Sequence, residues 1–172
     1  MKTPLVVDPV MIAKGGERLL KPAAIDALKR DLIVRATVLT PNVPEAESLT
    51  GLKVRDVDDL KHIAEMVHTL GPKAVLVTGG HMRGETICDV LCDDGELEVF
   101  EGPRIVSPHT HGTGCTLASG IAAGIAQGLD VRAAVVRARA FVHQAILGAP
   151  GFGGGHGPID HTHTVRPFSG ED

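Results

Sequence analysis

Thr37-Val38-Leu39-Thr40-Pro41-Asn42 is the stretch that decides the fold. Its short apolar, β-branched run, halted by Pro-Asn, reads as a buried strand with a polar side chain just past its C-terminal end. The same pattern stands upstream, where Leu5-Val6-Val7 is halted by Asp8-Pro9. Between them, Pro22 suits the first turn of a helix running to about Leu32. Downstream, Pro44 opens a short helix that Gly51 closes. Asp56 then caps a longer one, with Val57, Leu60, Ile63, Ala64, Val67 and Leu70 at helical spacing. Gly71-Pro72 ends it, and Ala74-Val75-Leu76-Val77 is a third buried strand running into Thr78-Gly79-Gly80-His81. Strand, helix, strand, helix, strand with near-continuous apolar strands predicts an α/β fold, a parallel sheet covered on both faces.

Beyond Gly80 the pattern changes. Thr86 to Cys92 and Glu96 to Ile105 read as extended segments joined at Asp93-Asp94-Gly95, an antiparallel excursion. Two helices follow: one from Gly112 to about Gly128, the other capped by Asp130 and carrying Val131, Ala134, Val135, Ala138, Val142, Ala145 and Ile146 on one face. Residues 149–172 form a Gly-rich loop tail. Without repeat or linker, residues 1–172 are expected to form a single domain. The chain opens on a buried strand with nothing before it, as expected of the C-terminal part of a larger domain.

Composition narrows the function. With 43% hydrophobic but 2% aromatic residues, the core is aliphatic. A net charge of −4 without a basic block argues against nucleic acid or an anionic membrane as partner. Cys88, Cys92 and Cys115 form no disulfide framework, and no secretory signal or bilayer-spanning stretch is visible, so a cytoplasmic protein is expected.

The sharpest chemical signal is Thr110-His111-Gly112-Thr113-Gly114-Cys115-Thr116. Its glycines permit close backbone approach, and the helix that follows aims free N–H groups and its positive end at the same spot. Such a site stabilises a transferred phosphoryl group. Cys115, in the first turn, is expected to have a lowered pKa and to serve as a base toward a substrate hydroxyl. The competing reading is structural: Gly112, Gly120, Gly124 and Gly128 share one side of the helix and would admit tight packing. Asp8 and Asn42 lie past predicted strand ends, where open α/β sheets bind ligands, and Glu45 follows on a new helix turn. These oxygens suit Mg²⁺ held through water; Asn42 and Glu45 equally resemble a capping box. Thr78-Gly79-Gly80 would pass close to phosphates or form a simple turn. The pairs His109/His111 and His161/His163 raise a zinc reading, but solvated loop histidines are the simpler one. Cys88 and Cys92 read as packing residues.

Taken in order, Val7-Asp8-Pro9-Val10-Met11, Leu39-Thr40-Pro41-Asn42-x-x-Glu45, Gly79-Gly80-His81, the Thr110–Thr116 segment and Gly155-His156-Gly157-Pro158 resemble the hydroxymethylpyrimidine/phosphomethylpyrimidine kinases of thiamine biosynthesis, in the ribokinase-like superfamily. The resemblance runs from Leu5 to His161. Cys115, where many sugar kinases of the superfamily carry Asp, is its most discriminating position. It implies a ribokinase-like three-layer α/β/α fold with a mostly parallel sheet. It implies two ATP-dependent phosphorylations, of 4-amino-5-hydroxymethyl-2-methylpyrimidine and then of its monophosphate. Carried over, Gly112, Gly114 and Cys115 would form the anion hole, with Cys115 as base. Asn42 and Glu45, with Asp8 close by, would hold Mg²⁺. Thr78, Gly80 and Thr113 would contact the nucleotide, and Val10 would line the pyrimidine pocket. Two departures stand out. Thr78 replaces a Lys common in the family, and the family's N-terminal part, with its pyrimidine-gripping residues, has no counterpart, so the chain reads as N-terminally truncated. Exposed sheet surface in such a chain favours association, with a homodimer the assembly to look for. A pyridoxal or pyridoxine kinase and a non-catalytic nucleotide-binding fragment are the alternatives.

Overall fold

The computed structural model describes residues 3–12 and 17–165. Met1-Lys2 and the end of the tail, 166–172, lie outside the described residues. The elements are β1 (Val6–Val7), α1 (Pro22–Ala27), β2 (Val38–Leu39), α2 (Val43–Thr50), α3 (Val57–His68), β3 (Ala74–Val77), β4 (Thr86–Asp93), β5 (Glu96–Pro103), α4 (Thr113–Ala126) and α5 (Val131–Leu147).

The five strands form one sheet in the order β1-β2-β3-β4-β5. β1, β2 and β3 pair in parallel, Val7 opposite Leu39 and Leu39 opposite Val75. β4 and β5 pair antiparallel, as the excursion predicted, so the described sheet is mixed. The hairpin turn places Asp94 at φ 48 and Gly95 at φ 86. Two successive left-handed residues match the right-handed twist of the flanking strands.

Strand side chains alternate between two cores. Val7, Leu39, Val75, Val77 and Val90 face α2 and α3, where they meet Ala46, Leu49, Leu60, Ile63, Ala64 and Val67. Val38, Ala74, Leu76, Leu91 and Phe100 face the other way, onto Leu117, Ile121, Ala134, Val135 and Ala138 of α4 and α5. This is the expected α/β/α sandwich. Burial of each large aliphatic side chain contributes roughly 1.5–3 kcal/mol.

Local signals set most helix ends. Asp56 and Asp130 accept from the Asp59 and Ala133 amides at the starts of α3 and α5, and Gly51 ends α2 at φ 79. The first helix departs from expectation. After Ala27 it widens into a π turn, Leu28–Leu32, then tightens into a 3₁₀ turn, Ile33–Arg35. The change of pitch turns Ile33 fully into the core, while Lys29 and Arg30 stay outside its buried face.

The glycines of α4 divide into two roles. A Cβ on Gly120 would lie 3.0 Å from the Cβ of Ala138, and one on Gly124 would lie 2.8 Å from that of Ala134, so these two permit close packing on α5. Gly112 and Gly128 instead have φ 84 and 89 and open space around them. They bracket the helix.

Candidate active site

Because β1, β2 and β3 are parallel, the residues following them share one sheet edge. Asp8 follows β1, Asn42 follows β2 and Thr78 follows β3. A bridge between Asn42 and Thr78 carries the β2–β3 pairing onto that edge. At about 4.8 Å per strand, Thr78 stands roughly 10 Å along it from Asp8.

α4 starts over the β1 end of this edge. Its N-cap is Gly112, which offers no side chain to the first-turn amides, and Thr116 N–H donates to the Gly112 carbonyl at 2.9 Å. No side chain caps these first-turn N–H groups, which point toward an anion. Thr113 sits inside the loop, its hydroxyl donating to the Thr110 carbonyl at 3.3 Å. Val6, Asp8, Cys115, Ala118, Ser119 and Ala122 line an open cavity of about 250 Å³ beside this turn.

Here Cys115 and Asp8 meet: both line this cavity, and the carboxylate acts on the thiol. This reverses the expected direction of the Cys115 pKa. Partial desolvation of the sulfur, then the hydrogen bond to Asp8 and its negative charge, push the thiol above its ordinary value. The thiol's own amide pulls the other way and is outweighed. Asp8 is itself raised by burial, with the Cys115 hydrogen bond opposing.

Asn42 and Glu45 form the capping box of α2. Asn42 Oδ1 accepts from Glu45 N–H and Glu45 Oε2 accepts from Asn42 N–H, both at 2.9 Å. Glu45 Oε1 also accepts from the Met11 amide at 3.4 Å. Despite these bonds, burial pushes the Glu45 carboxyl to about 7, with the charge of Asp8 adding to the rise. Burial is the main cause of the rise at both Asp8 and Glu45, and the negative charge of Asp8 adds to it at Glu45. Both Glu45 oxygens already accept amide hydrogens, which favours contact with a divalent cation through water. Among the described residues, no group of three or more His, Cys, Asp or Glu side chains is placed to hold a metal ion.

The Thr78-Gly79-Gly80 turn is held from outside. The Gly79 amide donates to Asp89 Oδ1 at 2.9 Å, and Asp89 Oδ2 accepts from Arg139 Nε at 2.8 Å. Arg139 also stacks over Phe100, 5.1 Å from its ring centre. Sequence reasoning passed over Asp89 and Arg139. The signal was there: a carboxylate inside the apolar strand Ile87-Cys88-Asp89-Val90-Leu91 needs a partner when buried. Val10 is 40% exposed, close after Asp8 on the same edge.

The histidines are more engaged than loop residues in water. The tail returns to α4 through a bridge between His111 and Pro158. His161 Nε2 lies 3.0 Å from Thr116 Oγ1, and His163 packs on Phe141 with ring centres 4.3 Å apart. His109 packs so closely on Gly157 that a Cβ there would overlap its ring. Cys88 and Cys92 are buried free thiols, as expected.

These strand ends and the α4 turn can be set against known proteins. The chain is 45% identical over 157 residues to the thiamine biosynthesis bifunctional protein ThiED of Geobacter sulfurreducens, covering 91% of this chain and 32% of that protein. It is 44% identical to the hydroxymethylpyrimidine/phosphomethylpyrimidine kinase of Streptomyces coelicolor, covering 92% of this chain and 58% of the relative. The pyridoxal kinase from Staphylococcus aureus in complex with ADP superposes with a TM-score of 0.87 at 33% identity, over 95% of this chain and 60% of that one. The fold is therefore ribokinase-like, and the chain spans less than two thirds of the length of these relatives. The model of the phosphomethylpyrimidine kinase family matches residues 1–160, the span that holds Asp8, Glu45 and the Cys115 turn together, and the chain belongs to that family.

Proposed function

We propose that this chain carries the phosphoryl-transfer machinery of an ATP-dependent kinase acting on 4-amino-5-hydroxymethyl-2-methylpyrimidine and on its monophosphate. The observation that carries the reading is the placement of Asp8 and Cys115 in one cavity beside the first turn of α4, whose N-cap is a glycine with no side chain. It puts a proton-accepting pair beside amides that can receive a developing anion.

In this reading Gly112 and Gly114 let the phosphoryl oxygens approach the α4 amides. The Cys115 thiol passes its proton to Asp8, and the thiolate takes the proton of the substrate hydroxyl as that oxygen attacks the terminal phosphorus of ATP. The bond from phosphorus to the bridging oxygen breaks and ADP leaves. Asn42, Glu45 and Asp8 would hold Mg²⁺ through water, and its charge would neutralise the phosphates. Thr78, Gly80 and Thr113 contact the nucleotide, and Val10 flanks the pyrimidine. The compartment is the cytoplasm and the assembly a homodimer.

The test is formation of the pyrimidine monophosphate and diphosphate from Mg-ATP, by this chain alone and joined to the remaining portion of the Streptomyces coelicolor relative. Cys115→Ala is expected to lower kcat about 100-fold or more. Full activity in that variant would remove Cys115 from the chemistry. A pyridoxal kinase is the second reading, favoured by the overlay on the Staphylococcus aureus enzyme. Competition between pyridoxal and the pyrimidine separates the two. Nucleotide binding without turnover in either form would identify a binding fragment.

A further inference from the structure

We propose that Arg104 is a positioning residue for the nucleotide: its guanidinium locks the Gly80–Gly84 turn, and so fixes Thr78 to Gly80 against the phosphates. The proposal rests on reading the strand-end edge as the ATP site.

Three carbonyls of one turn converge on this side chain. Arg104 Nε donates to Gly84 O at 2.7 Å, Nη1 to Gly80 O at 2.9 Å and Nη2 to Met82 O at 2.5 Å. The Arg104 amide adds a bond to the Glu85 carbonyl at 2.7 Å. The planar fork, with its N–H groups fixed in spread directions, meets three separate acceptors at once. Within the turn, the Met82 amide donates to the Gly79 carbonyl at 2.9 Å. Gly80, His81, Arg83 and Gly84 are exposed, and Met82 is half-buried. The turn is thus clamped at both ends, by Asp89 on the Gly79 amide and by Arg104 on the carbonyls beyond.

Arg104 also sits where the chain leaves β5 on its way to the Thr110–Thr116 loop. One guanidinium therefore ties the turn after β3 to the segment that delivers the α4 anion site. The two lie at opposite ends of the edge, about 10 Å apart, and a bound triphosphate must reach both. Fixing their separation in advance removes an ordering cost that binding would otherwise carry.

The experiment is calorimetric titration of the chain with magnesium AMP-PCP, in the unmodified protein, Arg104→Ala, Arg104→Lys and the control Arg132→Ala. Arg132 pairs with Glu98 on the surface, away from this edge. Melting curves without nucleotide and amide exchange across residues 79–85 are recorded on each. Arg104→Ala is expected to bind at least about tenfold more weakly, with amides of the turn exchanging at least about tenfold faster. Arg104→Lys, which keeps charge and fold but cannot span three carbonyls, is expected to be intermediate. Arg132→Ala is expected to stay within about twofold of the unmodified chain. Unmodified affinity in folded Arg104→Ala or in Arg104→Lys would overturn the proposal and leave the site reading standing. Failure of the unmodified chain to bind would sink both.

Discussion

Cys115, in the first turn of α4, and Asp8, just past the end of β1, line the same cavity, and the carboxylate acts on the thiol across it. Partial burial of the sulfur, and then the negative charge of Asp8, push the thiol above its ordinary value where a helix start alone would favour thiolate.

Alkylation should report this directly. The pH–rate profile of Cys115 with iodoacetamide is expected to inflect above the ordinary thiol value, since desolvation and Asp8 both disfavour the thiolate. Asp8→Asn removes the negative charge, so the inflection should move down and the rate at neutral pH should rise about tenfold. Cys88 and Cys92 are buried and contribute little to the signal. An inflection below the ordinary thiol range in the unmodified chain would restore the helix start as the dominant influence.

Glu45 predicts an unusual pH dependence of stability. Its carboxyl titrates near 7 in the fold against an ordinary 4.5. Between those values the folded state holds more protons than the unfolded state, so stability falls as pH rises from about 4.5 to about 7, by on the order of 1–3 kcal/mol. Denaturation midpoints across that window should show the fall. Glu45→Gln should flatten it, and MgCl₂ should reduce it if the carboxylates hold the cation as proposed. A profile that rises through the window in the unmodified chain would refute the assignment.

Neighbouring glycines after β3 should behave oppositely. A Cβ on Gly79 would overlap the Cys88 carbonyl oxygen, whereas Gly80 has nothing within 4 Å. Gly79→Ala is expected to cost about 3 kcal/mol and Gly80→Ala under about 0.5 kcal/mol in thermal denaturation. Any loss of nucleotide affinity in Gly80→Ala then reflects the ligand's approach. Equal stability losses would contradict the packing described for Gly79.

Within α4 the same comparison separates chemistry from packing. Gly114 faces open space without positive φ, so Gly114→Ala should leave the melting point unchanged or raise stability by about 0.5–1 kcal/mol. Its affinity for magnesium AMP-PCP should nevertheless fall about tenfold. Gly124→Ala should do the reverse, because its Cβ would press to 2.8 Å from that of Ala134 while the nucleotide site stays intact. Unchanged affinity in Gly114→Ala would leave that glycine a purely structural role.

The sequence alone determined whatever is encoded within a few residues. Asp56 and Asp130 mark helix starts because a short side chain reaches an amide three residues on. Asp94-Gly95 sets the hairpin because both must adopt positive φ. The order of motifs around Cys115 carried the family. Tertiary structure decided what depends on residues far apart in the chain. It set the Cys115 pKa upward, because packing α4 on β1 partly buries the sulfur and brings it to a carboxylate 107 positions away. It split the α4 glycines into packing and capping roles, because only the approach of α5 distinguishes them. It also gave Arg104 and Asp89 their work, since a side chain that satisfies distant backbone groups leaves no periodic trace in the sequence.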